Sequence, residues 1–288
     1  MTNSITGSIS ITGTISKMRT ELLDDQAQYY LPLSSKEGVK EIHLNPLIGQ
    51  PIRFSHTGNI YCDACAKKTK KSYSQGHCFV CMKKLARCDM CIMKPETCHF
   101  DQGTCREPQW AEQFCMTDHF VYLANTSGLK VGITRHSQIP TRWIDQGATQ
   151  AMAILRVKNR LLSGLVEVEL AKLVADKTNW RALLKGDAPD MDLRAKAEQL
   201  LPQIEQQLAH LTDQFGEDAI TAVDLPLQSI QYPVEQYPSK ITSFNLDKSP
   251  DVSGTLMGIK GQYLLLDTGV INLRKYTSYE ISWSAQDQ

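Results

Sequence analysis

The chain has 288 residues, 42% of them hydrophobic and 22% charged, a content that supports an ordinary core and, at this length, two domains, and that argues against a disordered chain. No run approaches the apolar length needed to cross a bilayer, and no basic region followed by an apolar block occupies the first thirty residues, so the sequence predicts a cytoplasmic protein with no membrane association. The formal net charge of zero hides a segregation, because Lys plus Arg less Asp plus Glu gives −1 over residues 1–52, +9 over 53–186 and −8 over 187–288. A basic middle can concentrate an anionic partner such as DNA or RNA, and the acidic C-terminal part repels it or masks the basic face.

Residues 1–61 form an N-terminal β-rich segment. From residue 5 onward small polar residues alternate with β-branched or aromatic ones, as in Ile9-Ser10-Ile11-Thr12 and Tyr29-Tyr30-Leu31, which predicts short antiparallel strands. Residues 62–119 show no sustained period and hold all nine cysteines, between Cys62 and Cys115. Nothing in the sequence requests an oxidising compartment, so the cysteines read as metal ligands rather than a disulfide framework.

Two pairs, Cys62-x-x-Cys65 and Cys78-x-x-Cys81, are separated by twelve residues. Each turn aims two thiolates at one point, and two turns complete a tetrahedron around zinc. The basic run Lys67, Lys68, Lys70 and Lys71 between them, with Lys83 and Lys84, favours thiolate over thiol, and the first four supply cations for a phosphate backbone. A third pair, Cys88-x-x-Cys91, with Cys98 and Cys105 makes the favoured second site, although Cys115-x-x-x-His119 has a ligand spacing of its own and alternate knuckles could share a metal. All-thiolate ligation points to two structural Zn²⁺ ions. Iron–sulfur cluster spacings are not reproduced.

Residues 120–186 read as a small mixed αβ domain. Phe120–Ala124, the polar turn Asn125-Thr126-Ser127-Gly128 and Leu129–Thr134 predict a hairpin. Pro140 and Thr141 open a short helix through Trp143, Ala151–Val157 reads as a strand, and Leu161–Ala175 as a helix. Residues 187–216 predict one acidic amphipathic helix over 189–214, with Leu193, Leu200, Ile204, Leu208 and Leu211 on its apolar face. Residues 217–288 return to β character, with a hairpin around Leu264–Gly269, and the similar character of the two terminal segments makes their pairing reasonable, although they could also stand apart.

Within the αβ domain, Val121-Tyr122-Leu123, Lys130-Val131-Gly132-Ile133-Thr134, Arg142 on a short helix and a later helix bearing Glu167 and Glu169 resemble the core of the GIY-YIG nuclease superfamily, most closely its phage-type branch. The resemblance covers roughly residues 120–175. The chain as a whole resembles an uncharacterised bacterial family, domain of unknown function 2797, through Gly103-Thr104-Cys105-Arg106-Glu107-Pro108, Val121–Ala124, Lys130–Thr134 and Arg142–Ala148. The nuclease likeness implies phosphodiester hydrolysis in which a glutamate, Glu169 preferred over Glu167, holds Mg²⁺ or Mn²⁺, Arg142 stabilises the developing charge, and Tyr122 handles the attacking water. Lys130 stands where the family has its second tyrosine, and Asn179 matches the late asparagine by position alone.

The expected architecture is α+β: a central two-zinc Cys-rich module joined to the GIY-YIG-like domain, β-rich ends and one long amphipathic helix. The functional expectation is a zinc-binding, nucleic-acid-binding protein on a nuclease-like core. An active metal-dependent endonuclease and a zinc-stabilised scaffold for a protein partner are the alternatives, with a redox sensor behind them.

Overall fold

The computed structural model describes residues 9–174 and 179–285. The predicted strand residues before Ile9 and the predicted helix end at Ala175 lie outside them. In chain order the strands and helices are β1 (Ile9–Ile15), β2 (Arg19–Leu23), β3 (Gln26–Ser35), β4 (Gly38–His43), β5 (Pro51–Ile60), α1 (Phe79–Lys84), α2 (Pro108–Phe114), β6 (His119–Asn125), β7 (Leu129–Arg135), α3 (Thr141–Asp145), β8 (Gln150–Val157), α4 (Arg160–Ala171) and α5 (Trp180–Leu183). They continue with α6 (Leu193–Leu200), α7 (Glu205–Phe215), β9 (Ile220–Ala222), β10 (Gln228–Ser229), β11 (Asp251–Lys260), β12 (Tyr263–Leu266), β13 (Gly269–Asn272) and β14 (Tyr279–Ala285). The chain divides into two compact units, one holding residues up to Met82 and from Gln231 onward, the other Lys83–Ile230.

In the first unit both ends of the chain share a single sheet of order β13-β12-β11-β5-β14-β1-β3-β2, with β4 on β3, and every pairing is antiparallel. β3 alternates buried and less buried positions along its length, the period-two signature of a sheet with one more tightly packed face. Phe54 and Trp283 face each other across β5 and β14 and stack at 5.4 Å, which buries two large rings at the centre of the sheet. The predicted strand character of both termini is present, and β1 and β14 are paired over six residues.

The second unit is a five-stranded antiparallel sheet of order β10-β8-β6-β7, with β9 also on β8. The predicted hairpin is β6 and β7, and the predicted short helix is α3. All seven residues of β6 are buried, as expected of a central strand covered on both faces. α4 starts at the N-cap Asn159, whose side chain accepts from Leu162 N at 2.9 Å, and it buries Leu162, Val166 and Leu170 on one stripe. Gly164 on that helix lies against the turn Pro95–Thr97: a Cβ there would be 2.5 Å from Glu96 N. Only glycine permits this approach of the cysteine-bearing segment to the helix.

The single helix expected over 189–214 is two. α6 begins at its N-cap Asp192 and ends at Leu200, a 3-10 turn occupies Leu201–Ile204, and α7 resumes at Glu205. Pro202 is the cause, since it has no N–H for the helical ladder and its ring crowds the preceding turn. Among the described residues no helix is long and apolar enough to cross a membrane.

Candidate metal centre and anion site

The first cysteine pair follows β5 directly. Tyr61 N donates to Ser278 O at 2.9 Å and Asp63 N to Gly76 O at 2.8 Å, so the turn is fastened to the sheet and to the second knuckle. Ala66, in the left-handed region at φ 54°, closes the first turn with its N–H on Cys62 O at 2.8 Å, and Cys62 N donates to Lys67 O. Ser74, Gln75 and Gly76 turn the chain back with φ of 42°, 57° and 120°, bringing Cys78 and Cys81 to the start of α1.

The four sulfurs of Cys62, Cys65, Cys78 and Cys81 lie within 4.8 Å of one another, and Cys65 and Cys78 Sγ are 3.9 Å apart. A tetrahedral zinc with Zn–S of ~2.3 Å sets its sulfurs about 3.8 Å apart, so the cluster has the dimensions of a zinc site and can hold the ion. Its electrostatics agree. Burial works against ionisation of Cys62, but the N–H groups of Cys78, Cys65 and Ala64 outweigh it and bring the thiol down to about 6. Cys81, whose thiol bonds to Cys78 and whose neighbours carry the negative charge, is pushed up to about 12. One ion would remove that repulsion.

Lys67, Lys68, Lys70 and Lys71 occupy the loop between the two knuckles and are all exposed. Lys71 Nζ sits 5.6 Å over the Tyr73 ring, and Tyr73 meets Phe79 edge-on at 5.7 Å, Phe79 being 53% exposed. The loop is therefore a cationic surface interleaved with aromatic rings, held at both ends by the cysteines.

The expected second set is Cys88, Cys91, Cys98 and Cys105, all of them half-buried. Among the described residues the other close group of ligand atoms is Asp89, Cys91 and His99. Cys98 hydrogen-bonds the Cys91 thiol, which with the Phe100 N–H holds Cys98 down near 6 despite burial. Cys115 is buried and raised by that burial, with Cys98 and Cys105 within electrostatic reach. His119 directs Nδ1 to Thr117 O at 2.7 Å, and its sealed Nε2 has no partner among the described residues.

In the αβ unit, Tyr122 is completely buried beneath Trp143, with ring centroids 6.0 Å apart, and its hydroxyl donates to Gln146 Oε1 at 2.7 Å. Gly132 lies opposite it on β7, where a Cβ would stand 2.5 Å from the Tyr122 hydroxyl. Lys130, two residues before Gly132 and half-buried, shares that face of the hairpin. Arg142 interacts with the Tyr122 hydroxyl by charge and hydrogen bond, and Glu167 by charge. Burial is the main cause that pushes the phenol up to about 12, which holds Tyr122 as the neutral phenol. Its hydroxyl hydrogen-bonds Gln146 and Arg142.

Glu169, the preferred glutamate, is elsewhere. Its carboxylate takes Lys172 Nζ at 2.6 and 2.7 Å and borders a groove of about 350 Å³ lined by Leu165, His210 and Leu211. Two positions along a helix turn the side chain by about 200°, and α4 directs Glu167 toward Tyr122 and Glu169 toward α7. Asn179 caps α5 through Oδ1, accepting from Arg181 N and Ala182 N, and so acts locally. Two residues join the site that were not singled out: Gln146, one turn after Arg142, a spacing visible in the sequence, and Arg160, the first residue of α4.

Arg160 Nη2 donates to Ile92 O at 2.7 Å, and its sealed Nε has no partner among the described residues. Burial lowers its pKa, and it senses Cys115, Cys91, Arg142 and Glu167. Glu167, Arg142 and Arg160 thus lie within electrostatic reach of one another, one carboxylate among two guanidinium groups. That donor set favours an anion and does not by itself fit Mg²⁺ or Mn²⁺, which want several hard oxygens.

The family model described as a protein of unknown function, DUF2797, matches residues 49–281. The chain belongs to that family. The match spans the four-cysteine cluster and the Tyr122–Arg142–Glu167 group, so both centres lie within the DUF2797 region. No curated protein and no solved structure gives a significant match to this DUF2797 chain.

Proposed function

We propose that this DUF2797 protein binds nucleic acid through the phosphate backbone, with zinc at Cys62, Cys65, Cys78 and Cys81 holding the lysine loop in shape and Arg142 with Arg160 forming a second phosphate contact. The observation that carries the reading is the loop itself: Lys67, Lys68, Lys70 and Lys71 are exposed, set beside Tyr73 and Phe79, and fastened at both ends by a cluster with zinc dimensions. Cations supply affinity that falls with salt, and exposed rings supply sequence-tolerant stacking. The test is fluorescence anisotropy with single-stranded and duplex DNA and RNA, comparing the native chain with a variant carrying glutamine at all four lysines. Weakening by tenfold or more at equal zinc content supports the reading. No binding by the native chain at low salt refutes it, and a protein partner recovered instead would favour the scaffold.

A second reading, phosphodiester cleavage on a GIY-YIG-like core, is favoured by the convergence of Tyr122, Arg142 and Glu167. It ranks below binding because Tyr122 is sealed and the site carries more positive than negative charge. Cleavage with Mg²⁺ or Mn²⁺ that is lost in Glu167→Gln and kept in Glu169→Gln would raise it to first place.

A further inference from the structure

The segment from Ala86 to Arg106 is made of three single 3-10 turns, and within it Ala86 and Pro95 are the buried residues among those described. It nevertheless takes a defined course against α4, close enough to require Gly164. So little apolar burial leaves the conformational entropy of about twenty ordered residues largely unopposed, which is the situation in which small domains use a metal.

We propose that Cys91, Cys98, His99 and Asp89 form a second metal site that takes zinc or a similar divalent transition ion. The ligand atoms of Asp89, Cys91 and His99 lie within 4.8 Å of one another, and His99 Nε2 is 3.5 Å from Asp89 Oδ2. Ligands at ~2.0–2.3 Å from a tetrahedral ion stand about 3.3–3.8 Å apart, which the His–Asp separation meets. The Cys98 thiol lies outside that three-atom group but is hydrogen-bonded to Cys91, so it is within reach of an ion held there as the fourth donor.

The surroundings are those of a ligand set. His99 Nδ1 is engaged with Thr104 Oγ1 at 2.7 Å, which holds the ring and presents Nε2. Asp89 Oδ1 accepts from Met90 N, and Oδ2 takes Arg106 Nε at 2.7 Å. Two thiolates and a carboxylate on a divalent ion leave one negative charge, and the Arg106 guanidinium neutralises it. All three grouped ligands are half-buried, shielded from competing water yet reachable by the ion. The site also has a structural consequence: the Ile92 carbonyl that receives Arg160 Nη2 follows Cys91 directly, so the ion fixes the turn on which Arg160 rests.

This ligand set differs from four thiolates at Cys88, Cys91, Cys98 and Cys105, and the two are separable on the full-length protein. Elemental analysis of native protein is expected to find two zinc ions per chain. X-ray absorption at the zinc edge is expected to show an average of three sulfurs and one nitrogen or oxygen per ion, since one site is all-sulfur and the other half-sulfur. His99→Ala and Cys91→Ser are expected to lose one of the two ions, and Cys88→Ser and Cys105→Ser to keep both. One zinc per native chain overturns the proposal. So does an average of four sulfurs, or loss of an ion in Cys88→Ser or Cys105→Ser with retention in His99→Ala. The absorption measurement needs no variant, so misfolding of a mutant leaves the decision intact.

Discussion

Gly132→Ala tests how tightly the candidate anion site is packed. The added Cβ would stand 2.5 Å from the Tyr122 hydroxyl oxygen and 2.6 Å from Cζ. The phenol has nowhere to go: Tyr122 is fully buried, Trp143 covers its ring, and its hydroxyl is held by Gln146 at 2.7 Å. Overpacking of this kind costs ~1–3 kcal/mol. A hydroxyl pushed off its partners in a sealed site adds ~1–3 kcal/mol, so the total expected is ~2–6 kcal/mol. Guanidinium unfolding followed by tryptophan fluorescence measures it. In a Tyr122→Leu background the clash with the phenol is gone, and Gly132→Ala should then cost under ~1 kcal/mol, leaving a coupling of at least ~1–2 kcal/mol between the two positions. Equal costs in both backgrounds would refute the packing argument.

Gly164→Ala gains up to ~1 kcal/mol of helix propensity but sets a Cβ 2.5 Å from Glu96 N and 2.6 Å from Pro95 Cβ. Backbone cannot yield cheaply, so a net loss of stability is expected by thermal unfolding, and a gain would contradict the contact. Cys78→Ser is expected to release one zinc per chain and lower the melting temperature, read by elemental analysis and calorimetry. His119, buried and held neutral, has its pKa lowered by desolvation to about 4, against ~6.5 when unfolded. The stability it contributes is complete above pH ~6.5 and is lost as pH falls toward 4, amounting to about 3 kcal/mol at ~1.36 kcal/mol per unit. That part of the acid destabilisation should disappear in His119→Asn, measured by denaturant unfolding across the range. Glu167→Gln removes the carboxylate opposing Arg142 and Arg160 and should tighten phosphate binding, while Glu169→Gln, already tied to Lys172, should leave it unchanged by calorimetric titration.

What could be read from the sequence was local. The β6–β7 hairpin announces itself by an apolar run, a four-residue polar turn and a second strand-like stretch, and the Cys62–Cys81 cluster by two knuckles whose geometry is fixed within each pair. The pairing of β1 with β14 joins residues 272 apart, as at Ile11 and Trp283, and no local signal names so distant a partner. Pro202 sits within an otherwise good apolar period, and reading the period over the proline merged α6 with α7. The choice of Glu167 over Glu169 depends on what each side of α4 packs against, which is tertiary information. Arg160 and the Asp89–Cys91–His99 group were obscured for a related reason: counting cysteines draws attention to thiols and away from the carboxylate and imidazole beside them.

The central claim, that the zinc-held lysine loop grips a phosphate backbone, is tested most directly by titrating duplex DNA over a range of salt with the native chain and the variant bearing glutamine at positions 67, 68, 70 and 71. Each lysine that neutralises a phosphate contributes ~0.9 to the slope of log affinity against log salt. The account predicts steep salt dependence for the native chain and a slope shallower by about 2–4 in the variant, with the zinc content of the two proteins equal. Identical slopes for the two, or binding by the native chain that salt leaves unmoved, would contradict it.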